Sequence, residues 1–373
     1  MKKHVGIFRM LYPAPSEAFI TEQVSHLKDF EPTIVATRTI GKSSFPTVVV
    51  SPDHHSNFDT QLYAFSRKPE LFKQAKSLKS LDLLHAHFGP DGVYAMPLAK
   101  QLDVPLIVTY HGFETVASRL AMWLSRDLMN YQFLLHEAGL KRQAAAIIAV
   151  SKFIERRLIE KGYPKEKIIR HYIGVDTEKF TPALTPASER YILCVGRHTR
   201  RKGIDTLLRA FARIAHKHPD VSLLQVGAGP LTVGLKGLAV ELGIEGRVRF
   251  AGSQPHDQVV SLMRGAEIFA LPSRTSGSGD SEALGIVFNE ASACAVPVVS
   301  THHGGIPEAV RHGETGLLAP ENNDQQLAQH LDALLGDRAT ARRMGVLGRE
   351  FTCEMFDIRK QTAKLEAIYC QFC

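Results

Sequence analysis

Short apolar runs alternate with longer stretches of helical periodicity along the whole chain. The first half carries VGIFRM, PTIVATR, LLHAH, PLIVTYHG, AAIIAVS and KIIRHYIGVD; the second carries YILCVGR, VSLLQVGAG, VRFAG, AEIFALPS, PVVSTHHGG and TGLLAP. Runs of this length, bounded by Gly, Pro or polar clusters, read as strands. Between them, GIDTLLRAFARIAHKHP places Ile204, Leu207, Leu208, Phe211 and Ile214 at helical spacing. Strands alternating with helices predict parallel sheets covered by helices on both faces. The stretch FTPALTPASER, residues 180–190, is rich in Pro, Ser, Thr and Ala and separates two such series. The expected architecture is α/β, with two Rossmann-like doubly wound domains facing a cleft, residues 1–180 and 181–356. The carboxyl ends of parallel strands and clefts between domains are favoured ligand sites.

Composition narrows the class. With 373 residues and 44% hydrophobic content, the chain can bury two ordinary cores. No apolar run is long enough to span a bilayer. MKKHVGIFRM meets Arg9 and then Pro13, so it reads as a first strand and not as a signal peptide. Five scattered cysteines, an odd number, do not suggest a disulfide framework and fit a reducing cytoplasm. A net charge of +7 favours nucleic acid, an anionic membrane face or phosphorylated small molecules. No nucleic-acid-binding signature is present, so nucleic acid ranks last of the three.

Three stretches carry chemistry. In CVGRHTRRKGIDTLLRAF a strand ends at Gly196, and a basic turn with Arg197, Arg200, Arg201 and Lys202 leads through Gly203 into a helix. Cations at the mouth of a parallel sheet suit a diphosphate, Arg as a planar fork and Lys as a point charge. QVGAGP holds Gly227 and Gly229 in a second strand-to-glycine turn, which reads equally as a ligand approach or as a plain turn. GDSEALGIVFNEASACAVP places Glu282 before, and Glu290 within, a helix opened by Gly285, Ile286 and Val287 and continuing through Ala295. The unpaired N–H groups and positive dipole of such a helix start attract anions. Carboxylates bracketing an anion site suit a nucleotide sugar, with hydroxyls at each end and phosphate between.

Seven residues separate Glu282 from Glu290, matching the E-x7-E signature of family-4 retaining glycosyltransferases of the GT-B fold. LPSRTSGSGDSE, AVPVVSTHHGGIPEAVRHGETGLLAP, VGRHTRRKG, YIGVDTEKF and AVSKFIERRL resemble the exopolysaccharide and colanic-acid-type members. PSEAFITEQ resembles their opening, with Ala18 in place of Thr. The resemblance spans essentially the whole chain, densely over 147–320 and thinly over 40–80. It implies an N-terminal acceptor-side domain, a C-terminal nucleotide-sugar domain, and a final helix, about 357–373, that packs back on the first. By the same resemblance Arg197 and Lys202 hold the donor diphosphate, with Gly196 beside them. Glu282 contacts sugar hydroxyls, Glu290 the ribose, and the amides around Gly285 and Ile286 the phosphates. His111 of YHGFE lies near the reacting carbon, and Ser16 and Glu17 stand on the acceptor side. The activity implied is retaining transfer of a hexose from a UDP- or GDP-sugar to a glycan or polyprenyl-linked oligosaccharide in surface-polysaccharide assembly. Alternatives are a nucleotide-sugar epimerase, a phosphorylase-like enzyme, or a non-catalytic nucleotide-sugar-binding protein.

No Asp-x-Asp occurs, so neither a metal nor another cofactor is expected. His85 and His87, and the pair His302 and His303, read as structural, although Gly304 and Gly305 are placed to approach a ligand. Residues 117–143 hold the only Trp, large apolar groups, and Arg119, Arg126, Lys141 and Arg142. They read either as a packed helix pair or as a surface that sits on an anionic bilayer, peripheral to the inner face of the cytoplasmic membrane.

Overall fold

A computed structural model describes all residues other than 1, 14–16, 51–57, 73, 74, 117, 185–188 and 278. The chain forms two compact units, Met1–Gly174 with Ile358–Cys373, and Val175–Asp357.

In the first unit the described strands are β1 (Lys3–Tyr12), β2 (Phe30–Thr39), β3 (Thr47–Val49), β4 (Leu83–His87), β5 (Leu106–Tyr110), β6 (Ala146–Ala149) and β7 (Ile168–Arg170). They make one sheet in the order β3-β2-β1-β4-β5-β6-β7, with every pairing parallel. β4 and β5 are buried along their whole length. That is why they appear as unbroken apolar runs and not as alternating ones. β3 is a three-residue edge strand, Thr47 opposite Ile34, and is absent from the runs read in the sequence. The second unit holds β8 (Arg190–Val195), β9 (Val221–Val226), β10 (Val248–Phe250), β11 (Ile268–Ala270), β12 (Val298–Thr301) and β13 (Gly316–Ala319). Their order is β10-β9-β8-β11-β12-β13, again all parallel.

Both sheets are doubly wound. The strand order reverses between β1 and β4 in the first and between β8 and β11 in the second. Loops leaving two such strands diverge to opposite faces, which opens a crevice beyond their carboxyl ends. The expected helix after the basic turn is Ile204–Ile214, and its buried face includes Ile204, Leu207, Leu208, Phe211 and Ile214. Gly203 caps it at φ +61°; a Cβ there would lie 2.0 Å from the Pro272 carbonyl oxygen. Only glycine allows both that conformation and that approach. The helix opened by Gly285 is Ile286–Ala293. It stops short of Ala295, which turns the chain at φ +57°.

The boundary between units falls at 174/175 instead of 180/181, and at 357/358 instead of 356/357. Val175 pairs with Asp357. The carbonyls of Lys179 and Phe180 accept from Arg264 and Arg349. These bonds tie residues 175–180 to the second unit, and the upstream end of the Pro-rich stretch therefore lies inside it; residues 185–188 of that stretch lie outside the described residues.

The last helix, Ile358–Tyr369, belongs to the first core through Leu365, Ile368 and Tyr369. Its Glu366, 4% exposed, accepts the backbone N–H groups of Lys28, Asp29 and Phe30 at 2.7, 2.7 and 3.2 Å on one oxygen. Glu366→Ala would leave those amides without that acceptor at a cost of about 2–3 kcal/mol. Glu366→Gln, which keeps an acceptor oxygen, is expected to lose less; urea unfolding of the two variants measures the difference.

Candidate active site

In the second unit the turn after β8 and the long loop after β11 meet at the switch point. Lys202, in the tight turn Arg200–Lys202, puts Nζ 2.6 Å from Oε2 of Glu282. Arg201 reaches Asp280 at 3.2 Å, the Ser281 carbonyl at 3.2 Å and Glu282 at 3.8 Å. Ser273 donates to Glu282 at 3.3 Å. Burial pushes the Glu282 carboxyl up, but Lys202 and Arg201 outweigh it and hold the group down at about 2. Glu282 is therefore an anion at every physiological pH. Burial lifts Asp280, against Arg201, and its Oδ1 is buried without a partner among the described residues. Arg274 anchors the loop to the basic turn, its Nη2 donating to both Asp205 oxygens at 2.9 Å and its Nε to the Arg200 carbonyl at 2.9 Å.

The other predicted residues of this unit fall as follows. Arg197 is exposed, with no ion pair among the described residues. Gly196 lies under the Lys202 stem. Gly227 (φ +130°) and Gly229 are turn glycines. Added Cβ atoms would meet the Gly196 oxygen at 2.2 Å and the His198 oxygen at 2.8 Å, so these glycines let the turns after β8 and β9 close on each other. Gly285, Ile286 and Val287 do open a helix, and Glu290 sits half-buried on it. Gly304 and Gly305 approach the backbone of the Glu282 loop. Their added Cβ atoms would lie 2.1 Å from the Glu282 oxygen and 1.9 Å from the Ala283 oxygen.

In the first unit a second polar cluster occupies the β1/β4 switch point. Arg9 of β1, 6% exposed, donates to Asp91 at 2.6 Å and to the His87 carbonyl at 2.8 Å, and it pairs with Glu17. Its guanidinium lies 4.6 Å from the centre of the Phe88 ring. Phe88 itself is held at φ +75°, a strained conformation for a residue with a side chain. His111, just past β5, bonds His87 between Nε2 and Nδ1 at 3.0 Å. It also packs against the rings of Phe19 and Phe88. Burial, then the charges of Arg9 and His85, hold the His111 imidazole well below its usual range. His87 is lowered in the same direction, first by burial. Two neutral rings share one hydrogen bond, so whichever donates fixes the tautomer of the other. His111 Nδ1 and His87 Nε2 have no hydrogen-bond partner among the described residues. His85 is buried between Tyr369 at 2.5 Å and Thr109 at 2.7 Å. Glu17 is thus engaged by Arg9, and Ser16 lies outside the described residues.

Sequence reading did not assign site roles to Arg9, His87, Asp91, Ser273, Asp280, His303 or Glu321, and it named Arg201 only as one cation of the basic turn. Arg9, His87, Ser273, Asp280 and His303 stood inside quoted runs, His87 and His303 read as structural; Asp91 and Glu321 lay outside them and become visible only once the strands are ordered.

Comparison with known proteins bears on both units. A model described as Glycosyltransferase Family 4 matches residues 17–179, and one described as Glycosyl transferases group 1 matches residues 175–351. A GDP-mannose-dependent alpha-(1-6)-phosphatidylinositol monomannoside mannosyltransferase of Mycolicibacterium smegmatis is 35% identical over 298 residues, 76% of this chain and 75% of that enzyme. A putative colanic acid biosynthesis glycosyltransferase of Escherichia coli is 33% identical over 257 residues, 68% of this chain and 61% of that protein. The Anabaena protein HepE, crystallised with UDP and glucose, superposes with a TM-score of 0.79 over 99% of both chains at 20% identity, which speaks to the fold. Two doubly wound parallel sheets, matched in turn by these two family models, place the chain among the family-4 glycosyltransferases of the GT-B fold.

Proposed function

We propose that this glycosyltransferase moves a hexose from a UDP- or GDP-sugar, with retention at the anomeric carbon, to a glycan or polyprenyl-linked oligosaccharide in bacterial surface-polysaccharide or glycolipid assembly. The observation that carries the reading is the pairing of Lys202 and Arg201 with Glu282 and Asp280 at the β8/β11 switch point. Lys202 and exposed Arg197 take the diphosphate, together with the amides at Gly285, Ile286 and Val287. Glu282 takes sugar hydroxyls and Glu290 the ribose. His111, neutral at physiological pH, is the residue that the family resemblance gives to the reacting end of the sugar. Negative charge builds on the β-phosphate as the bond breaks, and fixed cations and N–H groups stabilise it more than the ground state. The leaving phosphate accepts the proton of the acceptor hydroxyl, so no enzymic nucleophile and no metal is required. Trapping a glycosyl-enzyme on Glu282 would refute this route.

Relatives named for GDP-mannose and a fold neighbour crystallised with UDP keep both bases in play. Calorimetry with UDP, GDP and their glucose, galactose and mannose conjugates tests the reading. One base is expected to give heat and to raise the apparent stability of the protein, and its sugar is expected to be hydrolysed slowly without acceptor. Silence with every conjugate overturns it.

The reading extends to the acceptor. Helices Arg119–Leu124 and Leu128–Gln143 leave Leu120, Trp123, Leu124, Leu128 and Leu135 exposed beside exposed Arg126 and Arg142. Arg119 and Lys141 instead pair with Glu137. An apolar face with cations at its edge suits an anionic bilayer, where a lipid-linked acceptor resides. Liposome flotation is expected to need anionic lipid and to fail in Trp123→Ser; failure with wild-type protein removes the membrane part alone.

A further inference from the structure

We propose that His303, with its tautomer set by Glu321, is the positioning residue that holds Glu282 in place for the donor sugar. The inference rests on the glycosyltransferase reading for the role of Glu282, but its geometry stands by itself. The loop after β11 must carry a nearly buried carboxylate to a definite point, although its sequence is rich in Gly and Ser. Its backbone is pinned from the turn that follows β12. The Glu282 N–H donates to His303 Nε2 at 3.1 Å, and the Glu282 carbonyl accepts from the Gly305 N–H at 2.9 Å. The close approach of Gly304 and Gly305 described above makes this clamp possible, because any side chain there would drive the two segments apart.

The hydrogen bonds dictate the tautomer. A backbone N–H only donates, so Nε2 of His303 must offer its lone pair. In a neutral imidazole the proton then sits on Nδ1, which lies 2.8 Å from Glu321 Oε1. The other Glu321 oxygen accepts the N–H of Thr275 at 2.7 Å. One carboxylate therefore fixes the loop where it leaves the sheet and, through the ring, at the residue that carries the acid. His303 is 4% exposed, so water does not substitute freely at either nitrogen. Nothing in this arrangement puts His303 on the sugar; it acts through Glu282.

Two near-isosteric variants separate the nitrogens. His303→Gln places a carboxamide oxygen where Nε2 stands and can still accept the Glu282 N–H. His303→Asn ends at the level of Nδ1, so it keeps Glu321 and loses Glu282. His303→Asn is expected to weaken donor binding by about tenfold, the worth of one such hydrogen bond, and His303→Gln to recover most of that loss. Hydrogen exchange of the Glu282 amide should quicken in His303→Asn and not in His303→Gln, and two-bond proton–nitrogen spectra of the wild-type ring should show the Nδ1–H tautomer. Equal losses in the two variants, in step with their melting temperatures, would mean that the ring only fills space and would overturn the proposal, as would an Nε2–H tautomer. A wild-type protein that binds no nucleotide sugar would defeat the functional reading instead, while exchange and tautomer would still decide the role of His303.

Discussion

Lys202→Met is expected to lower donor turnover by about 10²–10³-fold, the usual effect of removing one preorganised donor from a developing anion. It should also destabilise the second unit by about 3 kcal/mol. The ammonium lies 2.6 Å from Glu282, with the two side chains 14% and 11% exposed, so removing it strands a charge that water cannot rescue. Acidity provides the check. Glu282 has its carboxyl lowered from 4.5 to about 2 in the folded protein. A depressed carboxyl contributes stability that is present above pH 4.5 and lost as pH falls toward 2, here about 3 kcal/mol. In Lys202→Met that acid-side loss should flatten, because the folded carboxyl moves back up. The double variant Lys202→Met with Glu282→Gln is expected to regain most of the stability and none of the turnover, since it removes the stranded charge but not the need for the cation. Urea unfolding at pH 3 and pH 7, alongside donor hydrolysis, reads all four proteins of the cycle. A Lys202→Met protein as stable as wild type at pH 7 would show that the pair is solvated and that the site is not built as described.

The central strands were legible because they are buried on both faces and so appear as unbroken apolar runs. β3 carries a β-branched run, Thr47 to Val50, no shorter than those of β7 and β10, the other three-residue edge strands, so its burial and length do not account for its absence from the runs read. The domain boundary was misplaced by six residues because Pro and Ser mark where a chain can be extended. They do not mark which core it contacts, and Val175 to Phe180 are held by partners near residue 264 and beyond residue 348. Within the site, residues carried by one motif could be read: Lys202 in a basic turn, Glu282 before a helix. The partnerships could not. Arg9 and Asp91 are 82 positions apart, and Lys202 and Glu282 are 80 apart. Only the strand order, 1 beside 4 and 8 beside 11, brings them together. The glycines have a role that only the packing reveals. Gly304 and Gly305, read as approaching a ligand, and Gly227, read equally as a ligand approach or a plain turn, each admit another stretch of the protein's own backbone.

Arg9→Met tests the matching cluster in the first unit, and here the pH dependence runs the other way. One guanidinium serves two carboxylates, Asp91 at 2% exposure and Glu17 at the cluster's outer side. Burial raises Asp91 to about 7, despite Arg9 and the Met10 N–H, and it raises Glu17 against the same cation. A raised carboxyl binds its proton more tightly in the folded state. Its contribution to stability is therefore full below pH 3.8 and declines as pH rises through 7. Arg9→Met removes the cation bonded to both acids, and at pH 7 it is expected to cost about 3–5 kcal/mol. At pH 5 the cost should be smaller, because protonated carboxyls no longer need the guanidinium. Asp91→Asn keeps an acceptor for Arg9 at the same place without the second charge, so it should cost less than Arg9→Met at pH 7. It should also reduce the decline in stability between pH 5 and pH 7, leaving the part that belongs to Glu17. If Arg9→Met and Asp91→Asn lose equal stability at both pH values, the cluster is held by packing against Phe88 and not by charge, and its proton is not stored on Asp91.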